Sequence, residues 1–332
     1  MILLLCLAFF GCKNDGVLPN SIINQLENDG AVMPVHIYGN KDSEKAIIIV
    51  HGGPGESSIL KRDAIGFYRL EEEHLVVYYD QRAAGISEGN INPESISIEQ
   101  LTNDLNAVVE LVDEITNAEQ FFLVSLDWGA AVATNYLASD LINEKVEGYI
   151  ATNPGFNAAK NLNASLDTLQ VIVDELEAGA QGAGQALQEY LFQNPSINKF
   201  NYEAHYRVVE NLLGIEFFQE YETANVDLPG FSKRQVEQNL LYSQAHLSFR
   251  NNHFLDALDV EDLLPEIPVP TKIVWGTHDL LFPSQLAVDY RNQLGSVSDG
   301  EDVSYFRVSA HRPYYEEGDR YYALVSTWIS LF

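Results

Sequence analysis

The feature of this chain that most restricts its fold is an alternation of short apolar runs with longer segments of helical periodicity. The run at 46–50 is bounded by turn residues, as is typical of strands buried inside a parallel sheet, and the run at 75–80 is similar. The segments predicted as strands are 32–39, 46–50, 75–80, 121–125, 146–152, 271–276 and 302–309. Because strands alternate with helices, the sequence predicts an α/β fold in which helices cover both faces of a mostly parallel sheet.

Helical periodicity is clearest over residues 98–115, where apolar side chains recur at spacings of three and four. That spacing places the apolar side chains along one face of a helix. Ser97 and Gln100 stand at the spacing of a capping box at its start. Further helices are predicted over residues 128–139 and 319–331.

The region at residues 156–255 departs from this alternation, because it shows helical patterns, many aromatic residues and few strand signals. We interpret it as a helical cap inserted between two parts of one core, at residues 30–155 and 256–332. An independent helical domain is the alternative. A length of 332 residues fits either arrangement, since domains usually take about 100–200 residues.

Residues 1–12 are predicted to be a processing signal rather than part of the fold. The apolar run at residues 2–10 is too short to span a bilayer, and Gly11-Cys12 follows it directly. This pattern resembles a bacterial lipoprotein signal peptide, whose cysteine is lipidated and becomes the first residue; a buried strand is the alternative. The resemblance implies a tether over residues 13–29 and a lipid anchor on Cys12 in the bacterial cell envelope, on the periplasmic or outer side.

Charge and cysteine content exclude several classes of function. The formal net charge of −29 argues against nucleic-acid binding, which needs clustered lysine and arginine. Because Cys6 and Cys12 are the only cysteines, we expect no disulfide and no cysteine-based metal site in the processed chain. We expect neither a metal nor a cofactor, and a small molecule as the substrate.

Residues capable of chemistry lie in the loops that follow the predicted strands, where α/β sheets place their sites. The loops are HGGPG at 51–55, DQRAAGIS at 80–87, SLDWG at 125–129, THD at 277–279 and AH at 310–311. In chain order they present an elbow residue, an acid and a histidine, with a His-Gly-Gly loop upstream. This is the order found in the α/β-hydrolase fold.

From about residue 30 to its end, the chain resembles the α/β-hydrolase superfamily. HGGPG and DQRAAGIS are similar to the signatures of proline iminopeptidase-like members, although Ala83 replaces a glycine. Such members carry a serine at the elbow, within G-x-S-x-G. The elbow here is Ser-Leu-Asp-Trp-Gly, which resembles that of haloalkane dehalogenases and epoxide hydrolases, whose nucleophile is an aspartate.

The resemblance implies roles for five residues. Asp127 corresponds to the nucleophile, His311 to the base and Asp279 to the acid that orients the base. The backbone amides of Gly53 and Trp128 correspond to the oxyanion donors.

Ser125 is a poor alternative to Asp127 as the elbow residue. A tight turn needs small residues two positions before and two positions after the nucleophile. Ser125 and Gly129 meet this requirement around Asp127, whereas Leu123 and Asp127 would flank Ser125. We therefore interpret Ser125 as a small spacer.

A carboxylate at the elbow favours attack on an sp3 carbon, because it is already ionised near neutral pH. Opening of an epoxide or displacement of a halide would leave an ester on Asp127, which water activated by His311 would hydrolyse. An epoxide is favoured, because Gly53 follows His51-Gly52 where dehalogenases commonly carry asparagine, and the cap contains no tryptophan. Cap tyrosines are candidates for protonating the opened ring: Tyr190, Tyr202, Tyr206, Tyr221 and Tyr242.

The alternative is a proline iminopeptidase-like or esterase-like protein that has lost its serine and acts as a binding protein or an inactive hydrolase. Peptidase activity through Asp127 is disfavoured, since a carboxylate would form a mixed anhydride and would have to expel an amine. Glutamates within residues 203–222 offer carboxylates for a substrate's amino group, as in iminopeptidase lids. A solvated acidic face is the simpler interpretation of those glutamates.

Overall fold

A computed structural model of the chain describes residues 21–53, 55–59, 62, 67–89, 95–179, 182, 184–213, 254–295 and 303–332. Its centre is one sheet, whose described strands are β1 (Ile22–Asn28), β2 (Ala31–Gly39), β3 (Lys45–Val50), β4 (Leu75–Tyr79), β5 (Glu88–Gly89), β6 (Gln120–Leu126), β7 (Val146–Thr152), β8 (Thr271–Gly276) and β9 (Val303–Phe306). Their order is β1-β2-β4-β3-β6-β7-β8-β9, and β5 pairs with β2. Cys12 and the predicted signal peptide lie outside the described residues.

Parallel pairing dominates the sheet. The strands from β4 through β3, β6, β7 and β8 to β9 pair in parallel, while β1 and β2 are antiparallel at one edge. Strands β3, β4 and β6 are buried almost throughout, which explains their continuous apolar runs. The predicted α/β fold is confirmed. Parallel strands bring their carboxyl ends to one edge of the sheet, so the predicted site loops meet there.

The amino-terminal edge of the sheet corrects one prediction. The sequence predicts a tether over residues 13–29, whereas Ile22–Asn28 forms β1 and pairs with β2 along its whole length. Side chains of β1 alternate between half-buried and exposed, because an edge strand covers the core on one face only. Ile22 and Leu26 are the β1 side chains that pack against the core, which is too weak an apolar pattern to indicate a strand.

Helices pack on both faces of the sheet. The described α-helices are α1 (Ile98–Ile115), α2 (Gly129–Leu137), α3 (Ala158–Gly179), α4 (Gln185–Gln193), α5 (Tyr202–Leu213), α6 (Phe254–Ala257), α7 (Leu286–Gln293), α8 (Pro313–Glu316) and α9 (Gly318–Ile329). Apolar residues of α1 and α2 belong to the core on one face, and those of α9 to the core on the other. Ser97 caps α1 by accepting a hydrogen bond from the Gln100 amide (3.1 Å), whereas the Gln100 side chain donates to Asp104. The capping box is therefore half formed.

Between β7 and β8 the described chain carries helices, as predicted for the insertion. Helices α3, α4 and α5 fall within the predicted cap at residues 156–255, and α6 crosses its predicted end. Residues 214–253 lie outside the described part of the chain, so the limits of the cap stay a prediction. None of the helices that the structure describes is both long and apolar enough to cross a membrane.

The DQRAAGIS segment anchors the site loops to the core. The buried Asp80 carboxylate accepts hydrogen bonds from the Ser57 hydroxyl (2.8 Å) and the Ile86 amide (3.0 Å). Burial raises the pKa of Asp80 to about 6. Arg82 makes a buried ion pair with Asp104 of α1, with 2.7 Å between Nη2 and Oδ1. The segment thus connects the Gly-rich loop to a helix on the face of the sheet.

Ala83 lies in this segment with a φ of 53°, in the left-handed region that favours glycine. An L-residue there costs about 1–2 kcal/mol. Its neighbour Ala84 is also buried and has no positive φ. We expect Ala83→Gly to have a free energy of unfolding about 1 kcal/mol higher than Ala84→Gly, measured by urea denaturation. Equal stabilities of the two variants would contradict strain at Ala83.

Candidate active site

Asp127 lies at the sharp turn between β6 and α2. Its φ is 50°, a left-handed conformation that is uncommon for residues other than glycine. The turn is tight because α2 begins against the end of β3: a Cβ on Gly129 would lie 2.2 Å from the Val50 carbonyl oxygen. A side chain at Gly129 would therefore force the backbone to move.

Ser125 is held within β6. Its side chain is fully buried, and its hydroxyl lies 2.7 Å from the hydroxyl of Tyr149 on β7. This position agrees with the register in which Asp127 is the elbow residue and Ser125 a spacer.

The two oxygens of the Asp127 carboxylate face different groups. Oδ2 accepts a long hydrogen bond from the Gly53 amide (3.4 Å), and Oδ1 lies 3.4 Å from His311 Nε2. Gly53 has a φ of 128°, so its amide is directed by a backbone conformation that side chains disfavour. Trp128 is buried and its indole N–H donates to the Gln81 side chain (3.4 Å), while its backbone amide remains a predicted oxyanion donor.

Asp279 orients the His311 ring. Nδ1 of His311 donates to Asp279 Oδ2 at 2.8 Å. The other carboxylate oxygen accepts from the amides of Leu281 (2.9 Å) and Phe282 (3.0 Å). Because a carboxylate only accepts hydrogen bonds, Nδ1 carries the proton and Nε2 is the atom presented to Asp127.

The two carboxylates determine the charge of His311. Burial by itself lowers the pKa of the ring, but the charges of Asp279 and Asp127 outweigh burial and raise the pKa to about 10. In the free protein His311 is therefore an imidazolium at neutral pH. It cannot accept a proton while both neighbouring carboxylates are charged.

Asn153, directly after β7, completes the site without belonging to any of the sequence motifs. Its side-chain NH2 donates to the Asp279 carboxylate and to the Ala310 carbonyl (3.3 Å), and its Oδ1 accepts from the Gly276 amide (3.3 Å). Asn153 thus connects the loops that follow β7, β8 and β9. Its position at the carboxyl end of a predicted strand is the sequence signal that indicates such a role.

Glu56 brings a second carboxylate beside Asp127. Glu56 is 4% exposed, and a Cβ placed on Gly52 would lie 3.1 Å from both Glu56 Oε2 and Asp127 Oδ2. Arg312, next to His311 in the chain, offsets part of this charge, with Nη2 3.8 Å from Glu56 Oε1. Within the described ranges, no group of three or more His, Cys, Asp or Glu side chains is arranged to hold a metal ion.

Comparison with known families identifies the fold family of the chain. The family model described as the alpha/beta hydrolase fold matches residues 45–307, more than half of the chain. The chain belongs to the α/β-hydrolase fold family.

Relatives of this α/β-hydrolase match it along most of its length. It is 23% identical to the probable aminopeptidase YbaC of Bacillus subtilis, over 90% of this chain and 92% of that protein. It is 21% identical to a proline iminopeptidase of Saccharolobus solfataricus, over 88% and 87% of the two chains. The solved structure of a proline iminopeptidase-related protein from Thermus thermophilus matches with a TM-score of 0.64 at 19% identity, over 94% and 98% of the two chains. At this identity the structural likeness shows the fold alone.

Three of the cap tyrosines predicted as proton donors, Tyr190, Tyr202 and Tyr206, lie in the described part of the chain, and their surroundings differ. The Tyr190 hydroxyl lies 3.0 Å from His205 Nδ1, so it is engaged within the cap. Tyr202 is buried, with its ring 6.3 Å from that of Tyr206. The other two members of the predicted set, Tyr221 and Tyr242, lie outside the described residues.

The charge of His311 predicts a pH dependence of stability. The ordinary histidine pKa is about 6.5, and the folded value is raised to about 10. Its contribution to stability is therefore complete below about pH 6.5 and is lost as the pH rises towards 10. We expect the difference in free energy of unfolding between the wild type and His311→Gln to shrink across that range, measured by urea denaturation at stepped pH. Lysines and tyrosines titrate in both proteins, so their effects cancel in this difference. A difference in free energy of unfolding that stays constant with pH would contradict an imidazolium at His311.

Proposed function

We propose that this α/β-hydrolase uses Asp127 as a nucleophile, forms an alkyl ester with a small molecule and then hydrolyses that ester. The observation that carries the proposal is the placement of the carboxylate, with Oδ1 3.4 Å from His311 Nε2 and Oδ2 3.4 Å from the Gly53 amide. A serine here would need a base to remove its proton before attack, whereas a carboxylate attacks as an anion. Epoxides are the substrate class that we favour.

In the first step, Oδ1 of Asp127 attacks one carbon of the epoxide, and the bond between that carbon and the ring oxygen breaks. In-line displacement leaves the ring oxygen on the far side of the carbon from Oδ1, and so away from His311. The proton for the developing alkoxide must then come from another side chain. Tyr202, the first residue of cap helix α5, and Tyr206, within the same helix, are the described candidates. The product is a hydroxyalkyl ester on Asp127, and the tyrosine that gave its proton regains one from solvent.

In the second step, the ester itself makes His311 available as a base. Esterification removes the charge of Asp127, one of the two charges that keep the pKa of His311 high, so the ring can release its proton to solvent. His311 then takes a proton from water, which attacks Cγ of Asp127. Negative charge develops on Oδ2, where the Gly53 amide donates. In the collapse of this intermediate the bond between Cγ and Oδ1 breaks, and the leaving oxygen takes the proton from His311, which releases the diol. The new carboxyl group then gives its own proton to His311, which restores the carboxylate and the imidazolium.

A second candidate function is binding without catalysis. Similarity over most of the chain to proteins named as an aminopeptidase and a proline iminopeptidase favours it. A carboxylate is a poor nucleophile for the amide bonds of such substrates, because the product would be a mixed anhydride. In this alternative the site binds a ligand without converting it, and Asp127 serves to pair with His311.

Trapping the ester distinguishes the two functions. His311→Gln lacks the base for the second step, so with a panel of epoxides and alkyl halides it should accumulate one covalent adduct on Asp127. Intact mass and peptide mapping measure the adduct, and the double variant that adds Asp127→Asn is the matched control, expected to gain no mass. The wild type should convert the same compounds without accumulating the adduct. Absence of any adduct, together with ligand binding and no turnover by the wild type, would favour the binding protein.

A further inference from the structure

A chain of hydrogen bonds, buried at its centre, joins three helices of the cap. The Ser165 hydroxyl on α3 lies 2.8 Å from Nε2 of His205 on α5, and the Tyr190 hydroxyl on α4 lies 3.0 Å from Nδ1 of the same ring. Ser165 and His205 are fully buried. The rings of Tyr190 and His205 are also stacked, with an interplanar angle of 22°.

The chain continues into the core at the carbonyl oxygen of Leu280, which lies 2.5 Å from the Ser165 hydroxyl. A carbonyl only accepts, so the single hydroxyl proton of Ser165 goes to Leu280 and His205 Nε2 must donate to Ser165. Burial lowers the pKa of His205 to about 4, so the ring is neutral and its Nδ1 is an acceptor. The Tyr190 hydroxyl therefore donates to Nδ1. The donor of each hydrogen bond from Tyr190 through His205 and Ser165 to Leu280 is thus determined.

Leu280 belongs to the turn that holds the Asp279 carboxylate. The amides of Leu281 and Phe282 in this turn donate to Asp279 Oδ1. The carbonyl of Phe282 accepts from the Trp275 indole at 2.7 Å. The turn is thus held by the core at Phe282 and by the cap at Leu280.

We infer that Ser165, His205 and Tyr190 form a positioning relay, through which the cap aligns Asp279 and hence the His311 ring. The relay acts through the Leu280 carbonyl and touches no reacting atom. Tyr190 belongs to this relay rather than to the donors for the substrate, because its proton is already directed to His205. Any effect of the relay on turnover rests on the proposed function, whereas its effect on the alignment of His311 does not.

The pKa of His311 in the substrate-free full-length protein tests the relay, followed by NMR of carbon-13-labelled histidine. Ser165→Ala frees the Leu280 turn and should lengthen the contact between Asp279 and His311, which lowers the His311 pKa by about half a unit or more. Thr168→Val is the matched control on the same helix. It also removes a hydroxyl, but among the described residues that hydroxyl bonds only to the Ala164 carbonyl within α3 (2.8 Å). The control should leave the His311 pKa unchanged.

Tyr190→Phe supplies a second variant, for the case in which Ser165→Ala does not fold. It keeps the bond to Leu280 and removes the donor to His205, so the His311 pKa should shift in the same direction by less. A His311 pKa that equals the wild-type value in every folded variant of Ser165 and Tyr190 would overturn the relay. The readout uses no substrate, so a failure of the relay is separate from a failure of Asp127 as a nucleophile. If turnover is established, Ser165→Ala should reduce kcat with little change in KM, and Thr168→Val should reduce neither.

Discussion

The close approach of α2 to the end of β3 is the constraint on which the rest of the site depends. A side chain at Gly129 would collide with the Val50 carbonyl oxygen, and the preceding turn takes a φ of 50° at Asp127. That conformation presents the carboxylate to the Gly53 amide and to His311 instead of burying it in the sheet. Parallel pairing of β6, β7, β8 and β9 then brings the remaining site residues to the same edge.

The residue type at that turn decides more than the identity of the nucleophile. A charged Asp127 gives His311 a second anionic neighbour beside Asp279, and together they keep the ring protonated. A neutral serine in the same place would remove one of these two charges, so the ring would be more easily deprotonated. With aspartate, the base becomes available only after the nucleophile has reacted. The order of the two proposed steps therefore follows from electrostatics at one position.

The sequence predicts the parts of the molecule that repeat a strong local pattern. Buried parallel strands produce continuous apolar runs, and Asp127 and Asp279 lie two and three residues after the ends of such predicted runs. His311 instead follows a half-buried strand in which apolar and polar residues are mixed. The sequence does not predict β1, because Ile22 and Leu26 are the β1 side chains that pack against the core and they form no continuous apolar run. It also fails for side chains whose partners are distant in the chain. Ser165 and His205 meet only when the cap folds, and neither belongs to a local motif.

Single turnover in water enriched in oxygen-18 tests the central claim, that Asp127 carries the substrate as an ester. Enzyme in excess over an epoxide that it converts limits each site to one event. We expect the diol to be unlabelled, because its new oxygen comes from Asp127, and we expect Asp127 to gain one oxygen-18 atom, detected by peptide mass mapping. A labelled diol with unlabelled Asp127 would contradict the ester, because water would then have attacked the substrate directly.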